Sequence, residues 1–154
     1  MGSKCLAIII VLVLVISGGI YKFIFQGSVS PSTDGRMAIM LDAAEKDLVL
    51  AEMRAFLESV QMITHGVSQD DMALVISAAQ KVGKEAQGAV PGTLVGKLPL
   101  EFKRMGFDTH TRFDQLALNA KEFGDPQTVL TELSTIMQNC TACHASYRLD
   151  VLAK

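Results

Sequence analysis

The chain has 154 residues, 49% of them hydrophobic and 19% charged, with 14 Lys and Arg against 16 Asp and Glu. That length supports one domain plus an appendage, and the apolar content suits a packed core, which excludes a disordered chain. The small net charge of −2 excludes a strongly basic protein built for nucleic acid.

The first patterned stretch is not core. Leu6 to Ile20 carries no charge, and apolar character resumes after Tyr21-Lys22 as Phe23-Ile24-Phe25. Counted to Phe25, the run reaches the roughly 20 residues that cross a bilayer. Lys4 and the amino terminus then stay on the cytoplasmic side, Lys22 reaches for the far interface beside Tyr21, and the remainder is exported. A cleaved signal peptide is the competing reading, with Ser17-Gly18-Gly19 as the small residues a peptidase wants. The length of the run and the aromatic cluster behind it favour a retained anchor. Cys5 follows no apolar run, so it is no lipoprotein cysteine, and it reads as a small residue at the membrane edge.

Residues 1–25 are therefore the expected anchor, 26–41 a linker and 42–154 the folded domain. Gln26 to Gly35 (QGSVSPSTDG) has the composition of a flexible exposed tether. Beyond it every pattern repeats at three and four residues, and nothing reads as strand. A first domain helix is predicted from Asp42 to His65, with Val49, Met53, Phe56, Val60 and Ile63 as its buried stripe and Gly66 as its end. Its polar face holds Glu45, Lys46, Glu52 and Glu58, a solvated surface. A second helix starts at Ser68, where Ser-x-x-Asp71 reads as a capping box, and runs through Val75, Ala79 and Val82 to Ala86. Gly88 to Pro99 (GAVPGTLVGKLP) reads as a loop, a connector or the rim of a site. A third helix follows from Leu100 to Phe123, with Phe102, Met105, Thr109, Phe113, Leu116, Ala120 and Phe123 on one side. Gly106 in its interior costs about 1 kcal/mol against Ala and marks a close approach by a neighbour or a cofactor. The fourth helix has Asp125 as its cap and Pro126 in its first turn, and its stripe is Val129, Leu133, Ile136, Cys140, Cys143 and Tyr147.

That last stripe ends in Cys140-Thr141-Ala142-Cys143-His144, the C-x-x-C-H pattern of covalent c-type haem attachment. On a helix, positions 140, 143 and 144 share a face, so two thioethers and one imidazole converge on one porphyrin. Zinc would use the same ligand types but lacks a second Cys or His pair at finger spacing. A redox dithiol usually opens a helix after a strand. Because the cysteines continue the core-facing seam, the porphyrin is expected inside the helix bundle and not on its outside. Covalent haem attachment outside the bacterial cytoplasm also agrees with the direction of export.

Four amphipathic helices with one longer crossing loop give an all-α, antiparallel four-helix bundle binding one haem c, preceded by a transmembrane helix. With the motif near the end of the last helix and Tyr147-Arg148 behind it (CTACHASYR), the chain resembles the class II cytochromes c, the c′ proteins and their six-coordinate relatives of the c-556 type. The resemblance covers Asp42 to Leu149, and the haem-binding segment is its specific part. The turn between the first two helices is shorter than the family's, which leaves the register of the first helix open by about a turn. The resemblance implies His144 as proximal iron ligand, Cys140 and Cys143 as thioether carriers, and Arg148 as a basic residue near the haem; Arg148 also reads simply as a cation at a helix C-terminus.

The sixth iron position decides between functions. In the c-556 type a methionine of the first helix closes it; in c′ proteins an apolar residue leaves it open to nitric oxide or carbon monoxide. Met53 is the candidate distal ligand, and Leu50, one turn earlier, is the residue that would leave the iron five-coordinate. Met62 falls off the stripe, and Met105 sits on the third helix. His110 could approach the haem edge or the distal face but reads first as structural, and His65 suits the end of its helix.

Three functions follow as expectations: a membrane-anchored mono-haem electron carrier serving redox partner proteins, a gas-binding c′-like protein, or a haem subunit of a larger membrane complex. The resemblance also implies a homodimer. No nucleophile with a paired base, no phosphate loop and no metal cluster beyond the haem argues for an enzyme. All 16 acidic residues and 12 of the 14 basic ones lie beyond the anchor, leaving the exported part at −4. That balance favours a partner with a basic docking patch over nucleic acid.

Overall fold

The computed structural model describes residues 2–152. The amino terminus and the last two residues of the expected 42–154 domain lie outside them. The chain is mostly helical, with an apolar helix at its N-terminal end. Ser3–Ile20 form α1, and the helix continues through Tyr21–Gln26 as a π-helical turn. Together they make 24 residues with an 18-residue stretch of mean hydropathy 2.6, none of it buried, long and apolar enough to cross a membrane. Gly27 ends this helix at φ +66°, where a Cβ would strike the Lys97 carbonyl oxygen and come within 2.7 Å of Leu98 C and Pro99 N. Both the left-handed backbone and the contact require glycine. The amide of Ser28 then donates to Lys97 O at 2.7 Å, which ties the end of the apolar helix to the domain.

The expected tether is a hairpin. Val29–Pro31 (β1) runs antiparallel to Met37–Leu41 (β2), and β2 pairs in parallel with Tyr147–Val151 (β3) from Met37↔Tyr147 to Leu41↔Val151. The Ser, Asp and Gly residues do form a turn, closed by Ser32 N to Arg36 O at 2.9 Å and Gly35 N to Ser32 O at 3.2 Å. Its job is to reverse a strand. Pro31 is tolerated because it closes an edge strand. The strand signal in Met37-Ala-Ile-Met-Leu is a short unbroken apolar run, which periodicity cannot tell from helix. As the central strand, β2 buries Ala38, Ile39 and Leu41.

Ala43–Ser68 form α2, with the Asp42 amide donating to Glu45 Oε2 at 3.0 Å in the first turn. The helix passes through Gly66, which does not end it. A Cβ there would lie 2.9 Å from both Asp71 O and Val75 Cγ2, so the glycine serves the close approach of the next helix. The reversal falls at Asp70, φ +56°. Met72–Lys81 form α3, capped by Asp71, whose side chain accepts from Leu74 N at 2.9 Å. Ser68 instead closes α2, donating to His65 O at 2.7 Å. α3 stops at Lys81, short of the expected Ala86, and a 3-10 turn follows over Lys84–Ala89. The predicted loop holds a helix as well, Gly92–Lys97 (α4), because Pro91 and Pro99 stand at the N-cap positions of α4 and of Leu100–Phe123 (α5), where a missing N–H breaks nothing. Pro126–Ser146 form α6, capped by Asp125, which accepts from Thr128 N at 2.8 Å.

α2 packs on α3, α3 on α5 and α5 on α6, and α6 returns to α2. Between them lies one core, with Phe56, Ile63, Val75, Phe113, Leu116, Val129, Leu133 and Ile136 buried and the rings of Phe56 and Phe113 stacked 5.6 Å apart. A second core joins the sheet to α4 and the first turns of α2 and α5 through Ile39, Leu41, Val49, Leu94 and Leu98. The end of α6 opens onto this second core.

Candidate functional site

α6 carries its buried seam from Val129 through Leu133 and Ile136, and the same face continues as Cys140 and Cys143, both half-buried, with His144 exposed beside them. All three cysteines of the chain are free thiols, and Cys5 is exposed on α1. Burial raises the Cys140 thiol above its ordinary value and pushes Cys143 up to about 11, with the neighbouring Cys140 adding to the second shift. Both side chains are therefore neutral at physiological pH.

The helix ends sooner than the resemblance implied. Tyr147 and Arg148 do not continue its face; they open β3, where pairing with β2 satisfies their backbone. The Tyr147 amide donates to Cys143 O, and Arg36 reaches across from the hairpin to donate from Nη1 to His144 O at 3.3 Å and Tyr147 O at 3.5 Å. Arg36 is held by Asp34, which accepts from its Nε at 2.9 Å and its Nη2 at 2.6 Å. That hydrogen bond is the main reason why Asp34 lies well below the usual carboxylate range and Arg36 above its own. Arg148 donates to Asp150 Oδ1 at 3.1 and 2.9 Å and to Ser32 Oγ at 3.2 Å. It is therefore a strand residue in an ion-pair cluster and not a helix-terminal cation.

These elements enclose a cavity of about 200 Å³. α6 contributes Cys143 and His144, α2 contributes Val49, Leu50 and Met53, α5 contributes Phe102, and β3 contributes Tyr147, Arg148 and Leu149. Met53 thus faces the same space as Cys143 and His144, and so does Leu50 one turn before it. Phe102 and Tyr147 meet edge to face at 5.6 Å, closing one wall. Arg36, Lys46 and Arg148 line the cavity as three cations. Neither Arg36 nor Lys46 carried a readable signal: one sits behind a turn that looked like linker, and the other on a helix face that looked solvated.

The two remaining histidines are elsewhere. His65 is exposed in the last turn of α2, where a cation suits the helix dipole. His110 is 2% exposed, its ring 4.8 Å from Phe56, with Nδ1 2.8 Å from Val82 O and Nε2 3.1 Å from Glu52 Oε1. Burial opposes its charge, but the Glu52 hydrogen bond and the Val82 carbonyl outweigh that, and its pKa is raised. Both partners are acceptors, so the doubly protonated ring satisfies both. His110 joins α2, α3 and α5 and borders a different cavity, of about 320 Å³. Val49 and Phe102 line both cavities and form a wall between them. Gly106 opens onto the larger one, with nothing within 4 Å of where its Cβ would be, so it marks open space and not a close approach.

The donor set discriminates among the groups a C-x-x-C-H can hold. Among the described residues no three His, Cys, Asp or Glu side chains converge on a metal-sized point, which leaves zinc without ligands. A redox dithiol needs a lowered thiol pKa, and both thiols here are raised. Two free thiols on one helix face and an adjacent imidazole, with a thioether, apolar side chains and three cations lining the cavity that Cys143 and His144 share, are the donor types a porphyrin with two carboxylates would use. The cavity is smaller than the roughly 300–1,000 Å³ of ligand pockets, so such a group would stand partly in solvent. No protein-family model, no curated protein and no solved structure matches this chain.

Proposed function

We propose that this chain is a membrane-anchored mono-haem c-type cytochrome that carries single electrons, its four longest domain helices forming an antiparallel bundle with one covalent haem at the end where α6 meets the sheet. One observation carries the reading: Cys143 and His144 of the C-x-x-C-H at the end of α6 line a single cavity with Met53 of α2. Cys140 and Cys143 would hold the porphyrin through thioether bonds, and His144 and Met53 would ligate the iron. Lys46 would pair with a propionate, and Arg36 and Arg148 would have to exchange Asp34 and Asp150 to do the same. Haem c supplies a one-electron couple at iron, and Met/His ligation raises its potential. The apolar walls Val49, Leu50, Phe102 and Leu149 would shield the part of the ring that the cavity takes. The apolar helix would hold the protein in the bacterial inner membrane with the haem domain in the periplasm. There it would meet redox partner proteins at a raised local concentration, those with basic docking patches first. We assign it no enzymatic turnover.

Leu50 supports the second reading. It lines the same cavity one turn before Met53, and a porphyrin seated a turn lower would have leucine over the iron and an open gas-binding position. Optical spectra of the reduced full-length protein with and without carbon monoxide separate the two. The electron carrier gives a sharp low-spin α band that ignores the gas and a methionine-to-iron charge-transfer band, in the oxidised form, that Met53→Ala removes. A broad high-spin spectrum that shifts with the gas would overturn it in favour of the c′-like protein.

A further inference from the structure

The larger cavity is not used by this reading, and its position, walls and polar end specify a ligand. It lies where the domain meets the end of the apolar helix: Lys103, on its wall, donates to the carbonyls of Ile24 at 2.9 Å, Phe23 at 3.4 Å and Val95 at 3.4 Å. Leu48 and Phe107 line it and are 40% and 50% exposed, which gives it an apolar mouth. Its lining is mostly apolar, with the Glu52, His110 and Gln87 side chains as polar groups besides Lys81 and Lys103, and its volume of about 320 Å³ suits one small ring compound. The charges exclude an acid. Lys103 is committed to three carbonyls and Lys81 to Glu58 at 3.1 Å, so among the described residues on its wall no free cation awaits a carboxylate, while Glu52 would repel one. The ring nitrogens of His110 are both engaged, so the groups left to meet a ligand are the Glu52 carboxylate, an acceptor, and the Gln87 side-chain amide.

We infer that this cavity binds a neutral hydroxylated aromatic of the hydroquinone class, drawn from the membrane, with the ring against α2 and α5 and a hydroxyl donating to Glu52. The choice of a redox-active ring rests on the electron-carrier reading; the apolar cavity, its acceptor and its place beside the membrane helix do not. The shared wall of Val49 and Phe102 makes the choice consistent, since it sets such a ring one layer of side chains from the cavity of Cys143 and His144.

The test uses the full-length chain in phospholipid nanodiscs, titrated anaerobically with 2,3,5-trimethylhydroquinone and followed by amide NMR shifts. Saturable shifts centred on Glu52, Gly106 and Phe107 are expected. Gly106→Leu, which fills open space, should weaken binding at least tenfold, and Ala51→Phe on the opposite wall is an independent block should the first variant not fold. The hydroxyl-free analogue 1,2,4-trimethylbenzene should bind at least tenfold more weakly than the hydroquinone. Absence of saturable shifts, equal binding of the two compounds, or binding untouched by both variants would overturn the inference. An alkaline pyridine haemochrome spectrum of the same samples separates the two proposals. Haem without binding sinks the cavity assignment alone, whereas binding without haem sinks the cytochrome and leaves the cavity standing.

Discussion

Replacing His110 by Phe removes two hydrogen bonds and a titrating charge while keeping a ring against Phe56. The ring is 2% exposed, with Val82 O at 2.8 Å and Glu52 Oε1 at 3.1 Å. Orphaning the Val82 carbonyl costs about 1–3 kcal/mol, towards the lower end where cavity water reaches it. Losing the charge-assisted bond adds about 1–1.5 kcal/mol, discounted because the Glu52 side chain is 34% exposed. The expected loss is therefore about 2–4 kcal/mol at pH 6. Its pH dependence has a definite sign. The folded-state pKa of His110 is raised, so its stabilisation is complete below the unfolded value of 6.5 and fades as pH rises through the folded value. The gap between wild type and His110→Phe should accordingly shrink from pH 6 to pH 8.5, with a slope no steeper than about 1.4 kcal/mol per pH unit. Urea unfolding of the full-length chain in micelles, followed by helical circular dichroism across that range, measures it. A loss under about 1 kcal/mol at pH 6, or a gap that widens with pH, would refute the bridging role given to His110.

Gly27→Ala should uncouple the apolar helix from the domain, because a Cβ there meets backbone atoms at residues 97–99 that cannot yield. Faster hydrogen exchange at Ser28, whose amide binds Lys97 O, is the readout, and unchanged protection would count against it. Phe113→Ala opens the main core at a residue 1% exposed and stacked on Phe56, and should cost about 3–5 kcal/mol in the same urea titration. A cost under about 1 kcal/mol would mean that the α2–α5 packing is not as described.

Several parts of the fold were legible residue by residue. Asp125 and Pro126 start α6 where capping chemistry says they should, and Val129, Leu133 and Ile136 are buried as their spacing implies. Val49, Phe56 and Ile63 do the same on α2, though Leu57, flanking that stripe, is 70% exposed. Phe123 shows the limit of the pattern on α5: it has the right spacing but, as the last residue of the helix, is 64% exposed. Gly66 and Gly106 were each misread for one reason. A glycine's role depends on what stands opposite it, and that atom belongs to another part of the chain: Val75 presses on the first, and nothing reaches the second.

The sequence by itself determined the membrane-length apolar run, the positions of α2, α5 and α6, and the common face of Cys140, Cys143 and His144. All of these follow from interactions within a few residues: helical periodicity, caps and hydropathy. Only the tertiary structure decided the sheet, the early end of α6, the Arg36 contact to its last carbonyls and the burial of His110 against Glu52. Each joins groups far apart in the chain. The pairing of β2 with β3 brings the first strands of the domain to its last residues, and strand register depends on the partner's surface, which no local pattern contains.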